Sequence, residues 1–183
     1  MKTGISPLLL LCMIALLSFS GTDIRTVKKN SRAEGPSGNV YIIVDKSDYE
    51  LKVYDDLGWY ATYPVVFGSK NLEDKYMEGD KRTPEGTFKI ISKRSNHKWN
   101  KMLLIDYPNQ QSWEKFNSRK ARGLIAKSAR IGGGIGIHGT WPNDNIVVDD
   151  YTNWTNGCIS MKNSDLDAIE PYLIVGTPVT IKR

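Results

Sequence analysis

The chain of 183 residues carries two histidines, His97 and His138, and two cysteines, Cys12 and Cys158. Cys12 falls in an apolar leader, which leaves Cys158 as the thiol of the body of the chain. His138 sits in Ile135-Gly136-Ile137-His138-Gly139-Thr140, and Cys158 follows Gly157 in Thr155-Asn156-Gly157-Cys158-Ile159-Ser160. They lie 20 positions apart, joined by a polar loop. A strand ending at His138 and a loop returning to the same end would bring imidazole to thiol. A free thiol has a pKa near about 8.5, so only a few per cent is thiolate at neutral pH. A histidine within reach takes the proton and activates the nucleophile. Gly157 lets the backbone approach closely, and the amides of residues 157–159, those of Gly157 and Cys158 among them, would face a developing oxyanion, worth about 3 kcal/mol per donor. The Gly139 carbonyl would fix the histidine tautomer where a triad uses a carboxylate. The alternative is a core histidine and a buried thiol, and the pair alone does not decide between them.

Other chemistries find less support. A zinc hydrolase needs about three protein ligands, often from His-Glu-x-x-His on a helix. That motif is missing, and His97, His138 and a carboxylate are the one conceivable set. Gly132-Gly133-Gly134 lacks the Lys and Ser/Thr of a phosphate loop, and there is no Gly-x-Ser-x-Gly elbow. Asn153-Trp154-Thr155 matches a glycosylation sequon, a three-residue pattern of little weight. Thr155, Asn156, Ser160, Trp141 and Trp154 flank the thiol and histidine and are candidates for substrate contact, against a plain packing role. Trp99 and Trp113 read as packing or loop aromatics, and His97 as a surface or structural residue.

The elements that would position this pair read as mainly β. Val40 to Val44 is a β-rich apolar run, Glu50 to Tyr54 alternates, Asp55 to Gly58 is a turn and Trp59 to Phe67 is a third strand. A charged loop follows over 68–82, then the Thr83-Pro84-Glu85-Gly86 turn. Strands are expected at Thr87–Ile91, Met102–Ile105, Ile135–His138 and Val175–Ile181. Ser112 to Ala121 reads as a helix capped by Ser112, and Asn163 to Glu170 as a short capped helix stopped by Pro171. Residues 139–156 read as one long polar loop.

The first 20 residues differ from the rest. Lys2, the apolar run Leu8 to Leu17 and Ser18-Phe19-Ser20 have the form of a secretory signal peptide. The run is too short for a spanning helix of about 20 residues, although an uncleaved anchor is the alternative. Leu11 before Cys12 argues against a lipoprotein signal. Cleavage after Ser20 leaves one thiol in an exported protein, a reactive group, an intermolecular disulfide partner or a buried small hydrophobe. Residues 21–38 read as a flexible linker and 39–183 as one domain. The net charge of +5 includes a basic cluster of Lys115, Arg119, Lys120, Arg122, Lys127 and Arg130. An exported protein would turn this to an anionic envelope, or it is a solvated face; no nucleic-acid motif accompanies it.

Several of these segments, in order, resemble the L,D-transpeptidase catalytic domain (YkuD-type) of bacterial cell-wall enzymes. Thr83-Pro84-Glu85-Gly86-Thr87-Phe88 is similar to its Thr-Pro-x-Gly segment, and Tyr107-Pro108-Asn109 to a segment of one branch. Ile137-His138-Gly139-Thr140 and Thr155-Asn156-Gly157-Cys158-Ile159 resemble its histidine and cysteine segments, and Gly176-Thr177-Pro178-Val179 its closing strand. The resemblance implies a β-sandwich-like domain with one or two short helices, and neither a metal nor an organic cofactor. It implies a periplasmic or envelope enzyme of wall biogenesis and cell shape that attacks the third residue of peptidoglycan stem peptides. Cys158 would be the nucleophile, His138 the base and then the acid, and Gly139 the orienter. The thioester would pass to an amine, giving a 3→3 cross-link, an attached wall lipoprotein or an exchanged D-amino acid. Passed to water, it would give carboxypeptidase or amidase action. A non-catalytic wall-binding module is the third reading. Two positions depart from the family: Asn156 stands where many members have histidine, and Ser160 where many have a carboxylate-binding arginine. Arg82, Arg119, Arg122 and Arg130 are the candidates to replace that arginine.

Overall fold

The two-residue strand β1 (Lys28–Lys29) lies along the edge of a meander formed by β2 (Tyr41–Asp45), β3 (Glu50–Asp55) and β4 (Gly58–Val66). The computed structural model describes residues 23–32 and 34–183, so the leader expected over 1–20 lies outside them. Alternation builds the meander: Leu51 and Val53 face inward while Glu50, Lys52 and Tyr54 are half-buried. Strand β5 (Gly86–Asn96) runs five residues further than the apolar pattern indicates, because its outer half pairs with β6 (Asn100–Ile105) as a hairpin. His97 lies exposed in the turn of that hairpin.

Helix α1 (Gln110–Ala121) starts earlier than expected, and its cap is Asn109 rather than Ser112. The Asn109 side chain accepts from the Ser112 amide at 3.1 Å and from its hydroxyl at 3.0 Å, the usual N-cap role of asparagine. Strand β7 (Gly136–His138) follows, then a single turn of helix, α2 (Ile146–Asp149), inside the segment read as a polar loop. Strand β8 (Ile159–Met161), absent from the sequence reading, is three residues long and fully buried. Too short to show alternation, it depends on its neighbours for definition. Helix α3 (Asn163–Ile169) ends in a 3₁₀ turn at Glu170–Tyr172, and β9 (Pro178–Lys182) completes the chain.

The strand order is β1-β4-β3-β2-β9-β5-β6-β7-β8, and β8 pairs back onto β4 through Val65↔Met161. Strands β4 and β5 take part in both sheets, so the two sheets close around one core. The mainly β expectation holds, with three α-helices among the described residues where one or two were expected. Ile90, Leu103, Ile105, Ile137, Ile159 and Met161 fill the interior below the site. Each contributes about 1.5–3 kcal/mol by leaving water.

Residues 23–32 and 34–38 fall in the stretch expected as a flexible linker, and several of their side chains and amides are bonded to the domain. The Arg25 guanidinium donates to the carbonyls of Tyr49 (2.6 Å), Val65 (3.2 Å) and Val148 (3.0 Å), and its amide donates to Asp149 (2.7 Å). Arg32 grips the buried Asp55 with both nitrogens. Contacts to main-chain carbonyls leave no periodic trace, so a polar segment reads as a linker whether or not it is bound.

Candidate active site

Strands β7 and β8 are parallel neighbours, with Ile137 opposite Ile159 and His138 opposite Ser160. Paired residues project from the same face, and faces alternate along each strand. Ile137 and Ile159 therefore enter the core, while His138 and Ser160 share the other face. Cys158, one residue ahead of β8, falls by the same alternation on the face of His138. The polar loop returns the chain to the same end, and the thiol and imidazole come to adjacent strands. The Cys158 thiol is half-buried and lies 3.6 Å from the Gly134 carbonyl, to which it donates.

Nδ1 of His138 is 2.7 Å from the Gly139 carbonyl oxygen. A carbonyl only accepts, so Nδ1 carries the proton in the neutral ring and Nε2 keeps its lone pair. Ser160 Oγ donates to the same oxygen at 3.2 Å. The turn that presents this carbonyl is clamped by two asparagines. Asn163 accepts from the Thr140 amide (3.0 Å), and Asn145 accepts from the Thr140 hydroxyl (3.0 Å) and the Asn163 amide (3.2 Å). Asn163 thus serves the site instead of capping α3 with its side chain.

Tryptophans enclose the imidazole. The Trp99 ring lies 5.0 Å from it, Trp154 meets it edge-on at 5.3 Å, and Trp141 packs against Trp154 at 3.9 Å. Trp99 comes from the turn of the β5–β6 hairpin, and its carbonyl accepts the Gly139 amide at 3.0 Å. Burial holds the His138 pKa below its ordinary value of 6.5, with the Gly139 bond acting in the opposite direction. Burial also pushes the Cys158 thiol up from 9.0, against the pull of the Lys75 charge. Desolvation thus favours the neutral form of both groups.

The residues around the thiol divide into fixers and open contacts. The Thr155 hydroxyl accepts from the Gly157 amide (3.1 Å) and donates to the Cys158 carbonyl (2.8 Å). This differs from the sequence reading twice: Thr155 is turned to the main chain, and the Gly157 N–H is engaged by the Thr155 hydroxyl. Ser160 is likewise buried and turned to Gly139. Trp154 is a wall of the histidine pocket, while Trp141 and Asn156 are exposed. Gly157 has φ +123°, and a Cβ there would lie 2.7 Å from the Arg82 carbonyl, so no larger residue fits. Asn153, read only as part of a sequon, ties the loop to Phe67, Ser69 and Tyr49. Sequence reasoning missed Trp99, Asn145 and Asn163, whose part in the site comes through other elements. A cleft of about 350 Å³ adjoins the thiol loop, lined by Lys75, Glu78, Lys81, Gly133, Ile135 and Asn156. Among the described residues no cluster of three His, Cys, Asp or Glu could hold a metal ion, and no helix is long and apolar enough to cross a membrane.

The chain is similar to several known proteins. The family model for the L,D-transpeptidase catalytic domain (YkuD) matches residues 39–181. A Bacillus subtilis protein named "Putative L,D-transpeptidase YqjB" is 30% identical over 148 residues, covering 79% of this chain and 72% of that protein. The helical cell shape determining protein Pgp2 of Campylobacter jejuni is similar with a TM-score of 0.58 and 25% identity over 79% of this chain and 48% of that one. Bd1075 of Bdellovibrio bacteriovorus (TM-score 0.54, 22% identity, 79% and 48%) and L,D-transpeptidase 3 of Mycobacterium tuberculosis (0.52, 14%, 79% and 60%) share the fold. The chain spans about half the length of the first two of these solved structures.

Proposed function

The chain belongs to the L,D-transpeptidase catalytic domain family, and we propose that it acts outside the cytoplasm on peptidoglycan stem peptides through a thioester on Cys158. The observation that carries this reading is the placement of His138 on the face that Cys158 shares, with its Nδ1 proton held on the Gly139 carbonyl. Nε2 of His138 takes the thiol proton as sulfur attacks the carbonyl of the third stem residue. Negative charge grows on that carbonyl oxygen, and the Cys158 amide is the donor placed to meet it. Collapse expels terminal D-alanine, whose amine takes the proton back from Nε2. An acceptor amine then attacks the thioester, with His138 again as base, and the thiol is restored. Both groups begin and end neutral, which suits their desolvated surroundings.

Water in place of the amine turns the same cycle into L,D-carboxypeptidase action, and a wall-attached lipoprotein is another source of amine. The deciding experiment is mass analysis of disaccharide-tetrapeptide after incubation with the chain, beside Cys158→Ala. The expected result is a cysteine-dependent dimer lacking one D-alanine. A monomer shortened by one D-alanine makes water the acceptor. No change under either condition overturns action on this stem peptide and leaves cleavage of a different wall linkage or a wall-binding module.

A further inference from the structure

The family's usual arginine two residues after the cysteine is Ser160, and Ser160 is buried with its hydroxyl on Gly139. The arginines that could replace it are otherwise occupied or elsewhere. Arg82 pairs with Glu73 at 3.3 Å and lies over the Tyr76 ring. Arg119 is held by Asp74 (2.7 Å) and the Lys75 carbonyl (2.6 Å). Arg130 pairs with Glu78 at 2.9 Å, and Arg122 caps the far end of α1. None of the four lines the cleft beside the thiol loop.

That cleft has its own charges. Lys75 is buried and neutralised by Asp80 at 2.7 Å, whose carboxylate also takes the amides of Tyr76, Met77 and Arg82. Glu78 is matched by Arg130. Lys81 is left: it is exposed, lines the cleft with Asn156, and forms no ion pair among the described residues. Its main chain lies against the thiol loop. A Cβ on Gly68 would meet the Lys81 carbonyl, the Gly157 nitrogen (2.6 Å) and the Thr155 carbonyl (2.6 Å) together. Lys81 also has φ +58°, a left-handed conformation that a lysine adopts only against a penalty.

We infer that Lys81 is the cation that anchors a carboxylate of the stem peptide in the cleft beside Asn156, taking over the task of the missing arginine. This assignment rests on the stem-peptide reading above. An ammonium anchors as a point charge from the cleft wall, whereas an arginine would present a planar fork from the strand. The fold therefore supplies the positive charge from the loop over 68–82 and frees the β8 position to hold the Gly139 carbonyl.

The test is titration of disaccharide-tetrapeptide, and of the same compound with its carboxylates amidated, into the full chain carrying Cys158→Ala. Lys81→Gly removes the ammonium and suits the left-handed backbone, so the fold is kept; Lys81→Arg restores a cation. The free acid should bind about tenfold or more weakly to Cys158→Ala/Lys81→Gly, and within about threefold of the parent in Cys158→Ala/Lys81→Arg. The amidated ligand should bind both backgrounds alike. Equal binding of the free acid with and without Lys81, the same loss for the amidated ligand, or no binding by Cys158→Ala would each overturn the assignment. Binding that depends on Lys81, in a chain that leaves the tetrapeptide intact when Cys158 is present, would sink the acyl-enzyme reading alone.

Discussion

His138 and Ser160 share one acceptor: the Gly139 carbonyl oxygen takes Nδ1–H at 2.7 Å and the Ser160 hydroxyl at 3.2 Å. The two donors stand opposite each other on parallel strands, so the sheet register itself sets the geometry. Each bond weakens the oxygen as an acceptor for the other. Ser160→Ala should therefore strengthen the imidazole bond, which favours the protonated ring, and shift the acid limb of the pH–rate profile upward. The lost hydroxyl bond should lower stability by about 0.5–1.5 kcal/mol, read from the urea midpoint. An acid limb that stays in place would show that Ser160 does not act on His138.

Ser160→Arg, which writes the usual family residue into this chain, should fail. The site is closed on all sides, since Ser160 has 0% exposure. An unpaired guanidinium forced into that space brings a desolvation penalty of several kcal/mol. Loss of soluble protein, or a melting temperature lowered by ten degrees or so, is the expected outcome, and a well-folded variant would contradict it.

The pH dependence follows from the two buried groups. His138 titrates below 6.5, so cysteine-dependent turnover should rise as pH increases through that range and then stay level past neutrality. For stability, the unfolded chain binds the histidine proton more readily than the folded one. The contribution of His138 is thus fully present above about pH 6.5 and declines as pH falls toward the depressed folded value. Cys158 has the opposite sign: its folded pKa is raised, so its contribution is present below its ordinary 9.0 and declines as pH rises beyond it. Urea midpoints across pH 4–10, compared with His138→Gln and Cys158→Ala, should show each slope vanish with its own residue.

Gly157→Ala should damage both fold and site. The backbone is at φ +123° and the added methyl would stand 2.7 Å from the Arg82 carbonyl. Strain of this kind amounts to about 1–3 kcal/mol, and relief by moving the loop would carry the Cys158 amide away from its place. Lower stability together with a loss of kcat larger than the change in KM is the expected pattern.

Arg25→Ala should loosen the loop that links His138 to Cys158. One guanidinium ties the Tyr49 carbonyl, in the turn before β3, and the Val65 carbonyl of β4 to Val148 of α2, and stacks on Tyr151 at 3.9 Å. A charged donor contributes about 1.5–3 kcal/mol per bond with poor additivity, so a net loss of about 2–4 kcal/mol is expected. Faster amide exchange confined to residues 146–152 would locate it, and unchanged exchange there would refute the role.

The mainly β class and the meander over 40–67 were legible in the sequence. Alternation and turn residues are local signals, and scarcity made Cys158 and His138 the candidates without deciding between a reactive pair and buried core groups. Gly157 was legible too, because a glycine before a nucleophile announces close backbone approach. Strand β8 was not, since three buried residues carry no period. The roles of Ser160, Thr155 and Gly157 N–H changed for a related reason: which main-chain group a hydroxyl satisfies depends on the register of β7 and β8, and register belongs to the pair of strands. Trp99, Asn145 and Asn163 reach the histidine from a hairpin turn and two helix starts, and Lys81 reaches the cleft from a loop. Local sequence determines what each segment can become and which atoms can react. Desolvation, hydrogen-bond partnership and free charge depend on segments distant in the chain, and for this protein only the closed sheet decided them.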